Sequence, residues 1–74
     1  MKAKLEIYFD NEDICKRIYQ SLNPDIKKER ESLTQENNKL IYEIEDKNFS
    51  HILAACNSIL KLINEALKLE SKEK

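Results

Sequence analysis

Not one of the 74 residues is glycine, and only Pro24 is proline. Every turn must therefore be made by residues that carry a Cβ, so Asn, Asp and Ser stand wherever a left-handed backbone is needed. The same count removes the Gly-rich loops that cradle nucleotide phosphates and the flexible Gly-rich linkers that join domains, which excludes kinase and dinucleotide-binding chemistry. A chain this short has room for one small core. Ordering it costs on the order of 100 kcal/mol at about 1.5 kcal/mol per residue, which such a core offsets only narrowly, so a staple or a partner is expected.

Ala3, Leu5, Ile7 and Phe9 alternate with Lys2, Lys4, Glu6 and Tyr8, the period-two pattern of a strand with one buried face. Asp10 then reads as an N-cap, with Glu12 and Asp13 putting negative charge in the first turn of a helix. Its apolar positions Ile14, Cys15, Ile18, Tyr19 and Leu22 share one face, and Asn23-Pro24 ends it, because the residue before proline is pushed out of the helical region. Residues 25–31 are polar and read as a loop, followed by a short strand over 32–36. Asn37-Asn38 makes a tight turn into a third strand over 39–45, whose Leu40, Tyr42 and Ile44 share a face while Ile41 points the other way; this strand is expected at the centre.

The final helix is expected from about residues 46–48 to about Leu69, with a stripe of Phe49, Ile52, Cys56, Ile59, Ile63 and Ala66 at spacings of three and four. Leu53, Leu60 and Leu67 widen the stripe on one side, and Ala55, Leu62 and Leu69 on the other. At 100° per residue these positions fill roughly 200°, twice what one sheet covers. One flank is thus left for a helix or a second copy of the chain, and the residues expected to carry such an interface are Ala55, Ile59, Leu62, Ile63, Ala66 and Leu69.

A right-handed crossover from the first strand to the second leaves a slot that the third fills antiparallel, which gives strand order 1-3-2. The expected fold class is α+β, a two-layer β-α-β-β-α domain with both helices on one face of a three-stranded sheet. Residues 1–70 form this single domain, and the charge-rich tail 71–74 frays.

Chemistry is mostly excluded by residue type and spacing. Cys15 and Cys56, each among apolar residues, read as buried thiols, and a cytoplasmic chain in a reducing compartment is expected, with cytosol and nucleus not distinguished by the sequence. One histidine and no C-x-x-C pair leave no structural metal site, and no cofactor is expected. The longest apolar run, residues 52–56, is too short to span a membrane. His51 and Ser50 are adjacent on a helix and point about 100° apart, so they cannot share a proton. A formal net charge of -1 gives no long-range field for phosphates, so nucleic acid could be met only by a local patch, for which Lys27, Lys28, Arg30, Asn57 and Lys61 are the candidates.

The strand LEIYF, the helix ending YQSLNPD, the hairpin ENNKLIYEIED and the segment ACNSILKLINEA together resemble the small subunit of the KEOPS complex. That is the polarised-growth and chromatin-associated controller family, related to the cancer/testis L-antigen proteins. The resemblance covers about residues 3–68, and its most specific pieces are Ser21, Leu22, Pro24 and Asp25, then Asn57-Ser58 and Leu60-Lys61. It implies a noncatalytic subunit of the machine that places threonylcarbamoyl on the adenosine next to the anticodon of ANN-decoding tRNAs. It also implies a homodimer whose helices dock on the catalytic threonylcarbamoyltransferase subunit, with a part in holding tRNA. Leu53 stands where family members commonly carry an arginine, and loop glycines are missing, so assembly is implied more strongly than direct RNA contact. Two rivals belong to other classes: a stand-alone RNA-binding module, and a small enzyme using Glu43, Glu45 and His51 across a dimer interface.

Overall fold

The computed structural model describes residues 1–72, and the side chains of residues 1–69. Its elements are β1 (Lys2–Tyr8), α1 (Glu12–Leu22), a 3-10 turn (Asn23–Asp25), β2 (Glu31–Glu36), β3 (Lys39–Glu45) and α2 (Phe49–Lys72). The three strands form one sheet in the order β1-β3-β2, with both pairings antiparallel. This is the expected α+β architecture. α1 lies over β2 and β3, and α2 lies over β1 and β3.

The sheet is built by alternation. Leu40, Tyr42 and Ile44 of the central strand point into the helix layer and are buried, and Leu33 of β2 joins them. Ala3, Leu5 and Ile7 point the same way from β1 but are only half-buried, because β1 is an edge strand. α1 contributes Cys15, Ile18 and Leu22, and α2 contributes Ile52, Ile59 and Ile63. The other face of the sheet carries no helix and mixes both signs of charge: Lys2 is opposite Glu45, and Lys4 is opposite Glu43.

Several boundaries differ from expectation. Asn11, and not Asp10, caps α1: its Oδ1 accepts from the N–H of Asp13 at 2.7 Å and of Ile14 at 3.3 Å, and its carbonyl takes the N–H of Cys15. The residue that caps is the one whose carbonyl already starts the helix, and Asp10 lies one position too early. α1 ends at Leu22, as expected of Asn23-Pro24, but Asn23 keeps helical dihedrals (φ -55°, ψ -41°) and the chain tightens into the 3-10 segment, where the missing N–H of Pro24 costs nothing. β2 starts at Glu31 because that residue pairs with Ile44. In the hairpin turn Asn37 alone takes positive φ, at 53°. Asn38 instead ties the turn to the end of β1, its Nδ2 donating to the Phe9 carbonyl at 2.8 Å. α2 continues to Lys72, so residues 71–72 of the expected tail are helical, and residues 73–74 lie outside the described residues. Cys15 is buried as expected; Cys56 is partly covered, and both are free thiols.

Tyr42 carries the fold's one polar anomaly among the described residues. Its ring is fully buried, and its hydroxyl has no hydrogen-bond partner. Burial, and after it the Glu31 carboxylate, holds the phenol far above its ordinary range; Glu31 approaches without meeting hydrogen-bond geometry. An orphaned buried hydroxyl costs about 1–3 kcal/mol of desolvation. Tyr42→Phe is therefore expected to leave stability unchanged or raise it by about 1 kcal/mol, seen as a Tm increase of up to about 4–8 °C. A Tm loss in that variant would show that the hydroxyl is satisfied.

Candidate docking site

α2 is capped by Asn48. Asn48 Oδ1 accepts from the Ser50 N–H at 2.8 Å, the Asn48 carbonyl accepts from His51 and Ile52, and no glycine or proline interrupts the following turns. Its 24 residues span about 36 Å, against about 23 Å for a seven-residue strand, so the last turns run past the sheet. The molecule is correspondingly elongated, 42 × 21 × 19 Å.

The buried line of α2 is Ile52, Ile59 and Ile63, with Ala55, Cys56 and Ala66 half-covered beside it. On one flank Phe49, Leu53, Leu60 and Leu67 keep 59%, 51%, 46% and 36% of their surface exposed. On the other, Leu62 and Leu69 keep 37% and 66%. Phe49 was expected on the main stripe; it lies in the first turn of α2 and stays more than half exposed. Leu53, Leu60 and Leu67 repeat every seven residues, as do Ala55, Leu62 and Leu69. Seven-residue repeats are the signature of helix-on-helix contact.

The two flanks face different surroundings. Ala55, Ser58 and Leu62 line a cleft of about 300 Å³ whose other wall is the segment leading into β2, with Lys27, Arg30 and the first β2 residue Glu31. That segment follows α1, so this flank faces the α1 side. Phe49, Leu53, Leu60 and Leu67 of the opposite flank do not line that cleft.

Of the six residues expected at an interface, Ile59 and Ile63 are taken up by the chain's own core, Ala55 and Ala66 are half-covered, and Leu62 and Leu69 are exposed. The flank of Phe49, Leu53, Leu60 and Leu67 was not among them. Its seven-residue repeat was in the sequence, but the side that α1 and the sheet would cover was not.

The five candidate RNA-contacting residues fall into two groups. Lys27, Lys28 and Arg30 are neighbours in the segment before β2, where Arg30 lines both the cleft with Lys27 and a groove with Lys28, Lys2 and Lys4 whose other wall carries Glu29, Glu31, Glu43 and Glu45, whereas Asn57 and Lys61 are exposed on the back of α2. Arg30 is already engaged: its Nη1 bonds Asp46 Oδ2, which also lies 3.5 Å from His51 Nδ1. The N–H of Asn48 donates to Asp46 Oδ1 at 2.9 Å. That N–H first, then His51 and Arg30, hold the Asp46 carboxyl below the usual carboxylate range against the opposing effect of desolvation. A depressed native pKa stabilises the fold above the unfolded value of about 3.9 and is lost as pH falls through the native value. Asp46→Asn is therefore expected to flatten the decline of the urea midpoint below about pH 4 relative to the parent; superimposable acid limbs would remove Asp46 from the account of the β3–α2 junction.

The proposed catalytic trio is not assembled. Glu43 and Glu45 project from the helix-free face of β3, whereas His51 is on α2 beside Asp46. Among the described residues no group of His, Cys, Asp and Glu could hold a metal ion, and no helix is long and apolar enough to cross a membrane.

A family model described as transcription factor Pcc1 matches residues 2–69, which take in the three strands, α1 and all but the last turn of α2. No curated protein matches the chain.

Proposed function

The chain belongs to the Pcc1 family, a family of noncatalytic KEOPS subunits, and we propose that it serves as the dimerisation and scaffold subunit of the complex that installs threonylcarbamoyl on tRNA. In this reading it docks through its helices on the catalytic threonylcarbamoyltransferase subunit, in the cytoplasm, and meets tRNA weakly or through its partners. The observation that carries the reading is α2 itself: a helix longer than its sheet, with apolar side chains left open on two flanks at seven-residue spacing. A soluble monomer has no use for two such stripes.

A role on duplex DNA, which the description transcription factor suggests, would call for a basic face. The net charge is -1, and the bases around Lys28 and Arg30 share their groove with Glu29, Glu31, Glu43 and Glu45, while Lys61 lines neither that groove nor the cleft of Lys27. The same distribution disfavours a stand-alone RNA reader.

The test is reconstitution of tRNA modification with and without this chain, alongside tRNA titration of the isolated protein at two salt concentrations. Modification is expected to fall when the chain is omitted, and the isolated protein is expected to bind tRNA weakly. Tight binding by the free chain with a steep salt dependence, and modification that proceeds unchanged in its absence, would overturn the reading in favour of an RNA-binding module.

A further inference from the structure

β2 lies at one edge of the sheet, and its neighbours fix which of its main-chain groups look outward. Beyond β3 the Asp46 N–H bonds the Met1 carbonyl, so along β3 the even-numbered residues bond β1 and the odd-numbered ones turn to β2. The Glu45 N–H accordingly donates to the Arg30 carbonyl at 2.9 Å, and Ser32, Thr34 and Glu36 exchange their bonds with Glu43, Ile41 and Lys39. Glu31, Leu33 and Gln35 therefore turn their N–H and C=O groups to the open edge. The Glu31 N–H is taken by the Lys27 carbonyl at 2.8 Å, whereas the main-chain groups of Leu33 and Gln35 have no partner among the described residues.

Edge strands are ordinarily guarded by lysine, proline or a bulge, and β2 has none of these: it reads Glu-Ser-Leu-Thr-Gln-Glu and pairs residue for residue with β3. Its charges are of one sign. Glu36 is exposed and makes no ion pair among the described residues, and Glu31 lends one carboxylate oxygen to the Lys27 N–H at 3.0 Å. The bases Lys27, Lys28 and Arg30 precede the strand, and Arg30 is engaged with Asp46. A second copy of the chain would bring the same two acids to this edge, so a strand of opposite sign fits it better.

An antiparallel strand laid on this edge exchanges both main-chain bonds with Gln35 and both with Leu33, which sets its register. About six residues, roughly 20 Å of chain, cover it. The first is opposite Glu36 and the last opposite Glu31, so a base at each end meets a carboxylate. The second and fourth are opposite Gln35 and Leu33, which puts their side chains on the helix side of the sheet, where Leu33 is buried and α1 lies over β2. Apolar β-branched residues suit those two places. The third and fifth fall on the helix-free side beside Thr34 and Ser32, where threonine or serine pairs well. The edge thus calls for the order basic, apolar, polar, apolar, polar, basic.

We propose that the β2 edge takes up an extended segment of another protein chain by strand addition, selecting one in which alternate apolar residues lie between two bases. Strand addition here goes beyond the function proposed above and does not depend on it. The test is titration of the isotope-labelled full chain with the end-blocked peptide Lys-Val-Thr-Val-Thr-Lys, read by amide chemical shifts and amide exchange, beside the same peptide with glutamate at both ends. The basic peptide is expected to shift and protect the Leu33 and Gln35 amides, and to bind about tenfold or more tightly than the acidic one. Gln35→Pro removes an outward N–H and leaves the ladder to β3 intact, so it is expected to weaken binding by about tenfold or more. Glu36→Lys, at an exposed position, is expected to narrow the preference for the basic peptide, with circular dichroism confirming that both variants fold. Equal affinity for the two peptides, unchanged exchange at Leu33 and Gln35, or a Glu36→Lys chain with undiminished preference would overturn the β2 site and leave the assembly reading standing. Peptide taken up at β2 by a chain that never binds the transferase would uphold this site and overturn the assembly reading instead.

Discussion

Ile59→Asp is expected to leave the chain unfolded at 25 °C, with no cooperative transition in urea and a far-UV spectrum that has lost its helical minima. Ile59 is buried on the inner line of α2, among side chains from both layers. Truncation of a buried isoleucine alone costs about 2–5 kcal/mol, and an unpaired carboxylate in its place adds several more. A domain of this length holds roughly 4–11 kcal/mol in total, at about 0.05–0.15 kcal/mol per residue. Ile59→Val, which keeps the packing, should cost only about 0.5–1.5 kcal/mol and serves as the control. A well-folded Ile59→Asp protein would mean that α2 is not seated on the sheet as described.

The second large effect is on association and should leave the chain folded. Leu62 sits on the cleft flank with 37% of its surface open, so Leu62→Glu gives up only part of a buried leucine and is expected to cost about 1–2 kcal/mol, well short of the loss from Ile59→Asp. If the transferase helix packs there, the same change puts a charge at the centre of an apolar contact. A central interface residue is worth about 2 kcal/mol or more, which is roughly a 30-fold loss of affinity. Urea midpoints together with titration of the transferase subunit separate the two effects. Equal unfolding by Leu62→Glu and Ile59→Asp would erase the distinction between core line and docking flank.

The order of elements was legible because each carried its own local signal. β1 alternates without a break, β3 places three apolar residues on one face, and Asn37-Asn38 lies between two strand-like runs, where a tight turn without glycine calls for asparagine. The cap of α1 was less legible because Asp10 and Asn11 both have capping side chains, and only the backbone path selects Asn11. Spacing showed that the stripe on α2 was too wide for one sheet. It could not show where the sheet would lie beneath it, since that depends on α2 sitting over β1 and β3 with α1 to one side. Phe49 therefore emerged exposed and Ile59 and Ile63 buried. Arg30 read as one base in a polar loop; its engagement with Asp46, 16 residues away, is set by the β2–β3 register. The Tyr42 hydroxyl left no trace at all, because tyrosine on a central strand reads as an apolar residue whether or not its oxygen is satisfied.

The central claim is that this chain's helices are a docking surface for the catalytic transferase subunit. The most direct test is to mix the purified chain with that subunit from the same source and determine the mass of the species formed, with Leu62→Glu in parallel. The account predicts a stable heteromeric species with the parent chain and its loss with Leu62→Glu. Two components that sediment independently at tens of micromolar, with both proteins folded, would contradict it.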